Sequence, residues 1–175
     1  NPKYRELHGM PCFPSAASIG KPIDLAIVAV PAAGVADAIR DCGKAGIAFA
    51  VVLTAGFRET GPEGVELEAE LKRAAAESGV RVIGPNCQGM ISIPARVWAC
   101  FGSVSEETEL RPGEVSCVFQ SGGFGYAIVN LAEVQGELRK ATWPWDPKEK
   151  GFKKYRELND STVVVFVAML LLGAF

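Results

Sequence analysis

The chain has 175 residues, 49% of them hydrophobic and 22% charged, with a formal net charge of −2. That is room for one ordinary soluble domain, or for one domain and part of another, with a sizeable core. No basic stripe or cluster offers phosphate contacts along a duplex, so nucleic acid is not an expected partner.

The N-terminal stretch has no charged segment leading into an apolar one, so secretion is not expected. The five cysteines, at positions 12, 42, 87, 100 and 117, are odd in number and form no CxxC pair. A disulfide framework and a zinc site are therefore not expected, and a reducing cytoplasm fits best. The only histidine, His8, falls in a loop between Leu7 and Gly9 and is expected to be solvated rather than catalytic.

Three runs in the first half predict strands: "DLAIVAV" (24–30), "IAFAVVL" (47–53) and "VRVIG" (80–84). Each is nearly continuously apolar, the pattern of strands covered on both faces in a parallel sheet. Between the first two, Val35, Ile39 and Cys42 fall at i, i+4 and i+7 of a helix, with Gly43 as its expected stop. Between the second and third, Pro62 and Glu63 open a helix. Leu67, Leu71 and Ala74 make its apolar stripe, and Gly79 ends it. A β-α-β-α-β series predicts an α/β fold, with a parallel sheet and right-handed crossovers.

The charged stretch 103–114, closed by Pro-Gly, predicts a linker between a first domain (1–102) and a second α/β unit (115–175). The second unit opens with a strand, "VSCVF" (115–119), then "QSGGFG" and a helical stretch over 126–136. Its 139–160 segment carries two Trp, two Pro and a basic run without clear periodicity. The pentapeptide KYREL occurs at 3–7 and again at 154–158, too short a match to define a repeat. The apolar run 162–175 is shorter than the ~20 residues of a membrane-spanning helix. Its β-branched first half predicts a buried strand, with a short hydrophobic anchor as the alternative.

Ligands of open parallel sheets bind beyond the carboxyl ends of the strands. Here those ends lead into "VPAAG" (30–34), "TAGFRE" (54–59), "PNCQG" (85–89) and "QSGGFG" (120–125), all small and bearing Gly or Pro. Such turns let backbone approach a ligand and aim N–H groups at it. In the last, Ser121 is a good N-cap, and Gly122 and Gly123 occupy the first helical turn. Glycine there weakens the helix by roughly 1 kcal/mol per residue, which suggests a backbone that must admit an anion. No GK[ST] follows, so it is not a Walker loop, and no GxGxxG marks a dinucleotide site.

The segments "NPKY…PCFPS", "DLAIVAVPAAGV", "VVLTAGFRETG.EG", "RVIGPNCQGMI" and "PGEVSCVFQSGGFGYAI" resemble the NDP-forming acyl-CoA synthetases, relatives of the succinyl-CoA synthetase alpha subunit, over residues 1–136. The resemblance implies a Rossmann-like CoA-binding domain followed by part of a flavodoxin-like ligase domain. By the same resemblance, Lys3 matches a basic position near the CoA phosphates. Val30 and Pro31, with Thr54, Ala55 and Gly56, match loops lining the CoA groove. Asn86 and Cys87 match the turn near the CoA thiol, with Cys87 a small, soft lining residue rather than a nucleophile. No His or Lys in its motif would lower its pKa. Ser121, Gly122 and Gly123 match the helix start that holds the phosphate of a phosphohistidine.

The family's first strand and its Gly-containing turn, expected before "NPKY", and the segment carrying the relay histidine are not found in this sequence. Residues 137–160 depart from the family pattern. The resemblance thus implies an acid–CoA ligase component, incomplete on its own. It would use CoA, with magnesium and ADP or ATP supplied through a nucleotide-grasp subunit or domain. Two alternatives remain open: a CoA-binding or regulatory module without turnover, and an interaction protein whose apolar C-terminal run docks a partner.

Overall fold

The computed structural model describes residues 4–102, 116–125 and 127–129, and residues 163–166 by their backbone. Two compact units divide between Cys87 and Gln88, earlier in the chain than the charged stretch 103–114, which lies outside the described residues.

The first unit opens with a short antiparallel pair, β1 (Glu6–Leu7) and β2 (Met10–Pro11), with His8 in the turn. Its centre is a parallel sheet in the order β3 (Leu25–Val28), β4 (Phe49–Val52), β5 (Arg81–Ile83). Helix α1 (Val35–Lys44) connects the first two strands and α2 (Pro62–Ser78) the second two. This is the α/β series the apolar runs predict. The α1 stripe Val35, Ile39 and Cys42 is buried with Leu71 and Ala74 of α2 and with Val28, Ala50 and Val52 of the sheet. Burying a side chain of this size stabilises by about 1.5–3 kcal/mol.

Coverage of both sheet faces does not hold throughout. Strand side chains alternate faces, and both helices pack on the face of Val28, Ala50 and Val52. On the opposite face Val51 is buried, but Ile27 is 51% and Phe49 40% exposed. The guanidinium of Arg81 stacks 4.1 Å from the centre of the Phe49 ring and covers part of it.

Gly43 has a different role from the expected helix stop. Helix α1 runs through it to Lys44, and a Cβ at Gly43 would lie 2.5 Å from Cβ of Ser78. The missing side chain lets α1 and α2 cross closely. Arg40 reinforces the crossing from α1, with Nη2 2.5 Å from Glu70 and Nε 3.1 Å from Glu77 on α2. The second helix ends as expected, on Gly79 in the left-handed conformation at φ 71°.

The second unit is a four-stranded sheet ordered β7 (Val97–Cys100), β6 (Gly89–Ser92), β9 (Val163–Phe166), β8 (Cys117–Phe119). The β6–β7 hairpin pairs antiparallel with β9, and β9 runs parallel to β8. The strand expected in the apolar C-terminal run is therefore present at 163–166, and the strand of "VSCVF" is β8. Residues 122–125 and 127–129 are helical. Ile91 is the buried centre of this unit, against Trp98, Phe119 and Val129. The segments 130–162 and 167–175, which include the second KYREL and most of the tryptophan-bearing stretch, lie outside the described residues. Among the described residues no helix is long and apolar enough to cross a membrane.

A glycine-to-alanine change inside a helix ordinarily gains about 1 kcal/mol. At Gly43 the added methyl would also meet the Ser78 carbonyl oxygen at 3.0 Å, and overpacking of this kind costs about 1–3 kcal/mol. The clash wins, so Gly43→Ala is expected to lower the urea midpoint without changing the slope of the transition.

Candidate functional site at the strand ends

The register of the parallel sheet brings the carboxyl ends of β3, β4 and β5 to one edge. Thr54 laces them together. Its Oγ1 donates to the Val30 carbonyl at 2.7 Å, and its own carbonyl accepts from the Asn86 N–H at 2.9 Å. One residue thus ties together the loops after all three strands. Of the residues the sequence nominates, Val30, Pro31 and Ala55 are exposed, while Thr54, Gly56 and Asn86 are half-buried. Gly56 has φ 103°, and a Cβ there would fall 3.2 Å from the methyl of Ala32, so the loops after β3 and β4 abut. Asn86 takes φ 51°, a left-handed conformation that asparagine tolerates better than most residues. Lys3 lies outside the described residues.

Cys87 departs from the expected lining position. It is 2% exposed, and its Sγ donates to the Val52 carbonyl at 3.3 Å, so the thiol lies beneath the turn. Gly84 has no room for a side chain between the Val52 carbonyl and this sulfur. The motif "GPNC" therefore clamps its own turn onto the end of β4.

Two glutamates next to the site carry structure that sequence reasoning missed. Oε1 of Glu59 accepts from the N–H groups of Gly56 (2.7 Å) and Phe57 (3.1 Å) and closes the loop after β4 on itself. Burial pushes the Glu59 carboxyl up, but these N–H donors outweigh it and hold the group below the usual carboxylate range. Glu68 on α2 receives Arg58 Nε at 2.6 Å and Lys72 Nζ at 2.8 Å. The Arg58 guanidinium holds the Glu68 carboxyl below its ordinary range despite burial. The available signal was the charged pair Arg58-Glu59 closing an otherwise small loop.

In the second unit Ser121 caps as expected. Its Oγ accepts from the Phe124 N–H at 3.3 Å, and its carbonyl accepts from the Gly125 N–H at 2.9 Å. The two glycines that follow are not alike. Gly122 is buried, and the side chain of Gln88 fills the space a Cβ would need, whereas Gly123 faces open space. Packing against Gln88 thus explains the first glycine, and the Oε1 of Gln88 is itself buried, with no hydrogen-bond partner among the described residues. Among the described residues no cluster of His, Cys, Asp or Glu could hold a metal ion.

An α/β unit with this laced strand edge defines a class, and comparison with known proteins gives it a family. Residues 1–92 match the family model described as "CoA binding domain", and the chain belongs to that family. It is 39% identical to the ADP-forming acetate–CoA ligase I of Archaeoglobus fulgidus over 97% of this chain and 25% of that protein. It is 38% identical to the ADP-forming acetate–CoA ligase II subunit alpha of Pyrococcus furiosus, over 74% of this chain and 27% of the relative. Similarity extends to a succinate–CoA ligase (ADP-forming) alpha subunit of Archaeoglobus fulgidus, 32% identical over 74% of this chain and 42% of the relative. Among solved structures, the dinucleotide-forming acetyl-coenzyme A synthetase 1 of Ca. Korarchaeum cryptofilum, in complex with phosphate and ADP, matches with a TM-score of 0.66. Its identity is 41%, over 77% of this chain and 28% of that one. The chain thus spans about a quarter of the length of the acetate–CoA ligases it matches.

Two measurements test the local architecture. Thr54→Val removes the donor to the Val30 carbonyl, so a loss of about 0.5–1.5 kcal/mol is expected in chemical denaturation. Glu68→Gln is expected to cost roughly 1 kcal/mol at neutral pH, because it removes a carboxylate paired with Arg58 and Lys72. A carboxyl pKa lowered by folding stabilises above its unfolded value, about 4.3, and the benefit fades as pH falls through the folded pKa. The wild-type and Glu68→Gln unfolding curves should therefore converge on acidification.

Proposed function

We propose that this chain is the CoA-binding part of an NDP-forming acid–CoA ligase, in which acyl-CoA, NDP and phosphate interconvert with acid, CoA and NTP. The observation that carries the reading is the laced edge at Val30, Thr54 and Asn86 in a member of the CoA-binding domain family. The names of the relatives support the acid–CoA ligase part of the reading. In it, Val30, Pro31, Thr54, Ala55, Gly56 and Asn86 line the CoA groove, and Lys3 contributes charge near the CoA phosphates. Cys87 shapes the groove from beneath. Ser121 and Gly123 present N–H groups to a phosphate, with Gly122 making room for Gln88. Magnesium, ADP and ATP belong to a nucleotide-grasp domain or subunit, and the setting is cytoplasmic.

A phosphoryl relay through histidine needs an imidazole within hydrogen-bond reach of both sites. The 175 residues contain only His8, which lies in the β1–β2 turn. A second reading that the same laced edge supports is a CoA-binding or regulatory module without turnover.

Calorimetry tests the placement. CoA should bind and NAD should not. Ala55 is the position to obstruct, because it is exposed and free of the strain that φ 103° imposes on any substitution at Gly56. Ala55→Trp is expected to weaken CoA binding at least ~10-fold, about 1.4 kcal/mol, while the fold is retained by circular dichroism. Wild-type affinity in a folded Ala55→Trp variant would show that CoA binds elsewhere.

A relay assay separates the two readings. With labelled nucleotide and magnesium, these 175 residues alone are expected to form neither acyl-CoA nor acid-labile phosphoprotein. Labelling that depends on an added nucleotide-grasp subunit supports the ligase component, and a labelled His8 would overturn the assignment of the relay elsewhere.

A further inference from the structure

We propose that Glu59 is a positioning residue of the CoA site, and that the loop it shapes, residues 54–57, receives an uncharged segment of the ligand and no phosphate. The proposal rests on the CoA reading above and adds which part of the ligand crosses this loop. Turns at the carboxyl ends of parallel strands commonly offer their N–H groups to anions. Here that offer is withdrawn. The N–H groups of Gly56 and Phe57 both donate to Oε1 of Glu59, at 2.7 and 3.1 Å.

The carboxylate also places a negative charge against the same backbone. The neighbouring cation does not neutralise it, because Arg58 pairs with Glu68 at 2.6 Å. Among the described residues Glu59 has no ion pair. The rest of the loop is equally unsuited to an anion. The Thr54 hydroxyl already donates to Val30, and Ala55 presents a small apolar side chain to solvent. Gly56 lies against the Ala32 methyl and keeps this part of the edge flat. Such a surface takes the adenine ring or the pantetheine chain, the two uncharged segments of CoA, and repels its phosphates.

Calorimetry on the full chain tests this, with CoA, pantetheine and adenosine 3′,5′-bisphosphate as probes and wild type, Glu59→Ala and Glu59→Gln as proteins. Glu59→Ala frees the loop and is expected to weaken CoA ~10-fold or more. The loss should fall on one of the two fragments and leave the other near wild type. Glu59→Gln keeps an acceptor oxygen and is expected to recover most of the loss, with the salt dependence of wild type.

Three results would overturn the proposal. One is CoA affinity in Glu59→Ala equal to wild type; another is equal weakening of both fragments, the mark of a general structural role. The third is tighter CoA binding by Glu59→Gln at low salt that vanishes at high salt, as expected if a phosphate passes the carboxylate. This third arm holds even if the alanine variant fails to fold. No CoA binding by wild type would instead refute the CoA reading itself, so the two failures are distinguishable.

Discussion

The hydrogen bond from Thr54 Oγ1 to the Val30 carbonyl is the interaction on which the candidate site depends. A parallel sheet delivers its strand ends to one edge by register, but register alone leaves each following loop free to diverge. Thr54 removes that freedom on both sides, through its hydroxyl toward β3 and its carbonyl toward the turn after β5. A single such bond contributes only about 1 kcal/mol net. Its importance is geometric, because it sets how far Pro31, Ala55 and Asn86 stand from one another.

Close approach then decides which residues the loops can carry. Gly56 meets Ala32, Gly84 meets the Val52 carbonyl and the Cys87 sulfur, and Gly64 meets the Phe57 carbonyl at the start of α2. At each point a side chain would push two segments apart. In the second unit Gly122 follows the same rule, yielding its space to Gln88. Glycine in these turns is as much a matter of packing between neighbours as of access for an anion, and Gly123, unlike Gly122, has open space in front of it.

Much of the first unit was legible in the sequence, because hydrophobic periodicity reports directly on burial. Val35, Ile39 and Cys42 mark the inner face of α1, and the apolar runs mark β3 to β5. Periodicity does not say what lies across the interface. Gly43 looks like a helix terminator until Ser78, 35 positions further on, is seen against it. The sulfur of Cys87 likewise depends on a carbonyl of β4. The hairpin of Gly89–Ser92 and Val97–Cys100 escaped notice because its strands are short and one of its partners is the distant segment Val163–Phe166. Glu59 was passed over for another reason. A glutamate in a charged turn normally signals solvent, and only the loop's closure shows its carboxylate accepting two backbone N–H groups.

The lacing of the strand ends also bears on time. Amides held by acceptors across neighbouring strands exchange with solvent only when that part of the sheet opens. The Leu53 N–H donates to the Val28 carbonyl at 3.0 Å, and the Asn86 N–H to that of Thr54 at 2.9 Å. These segments cannot loosen one at a time without parting strands. Under the proposed function, a ligand at this edge would meet loops already joined to one another, and its association would be governed by encounter and orientation.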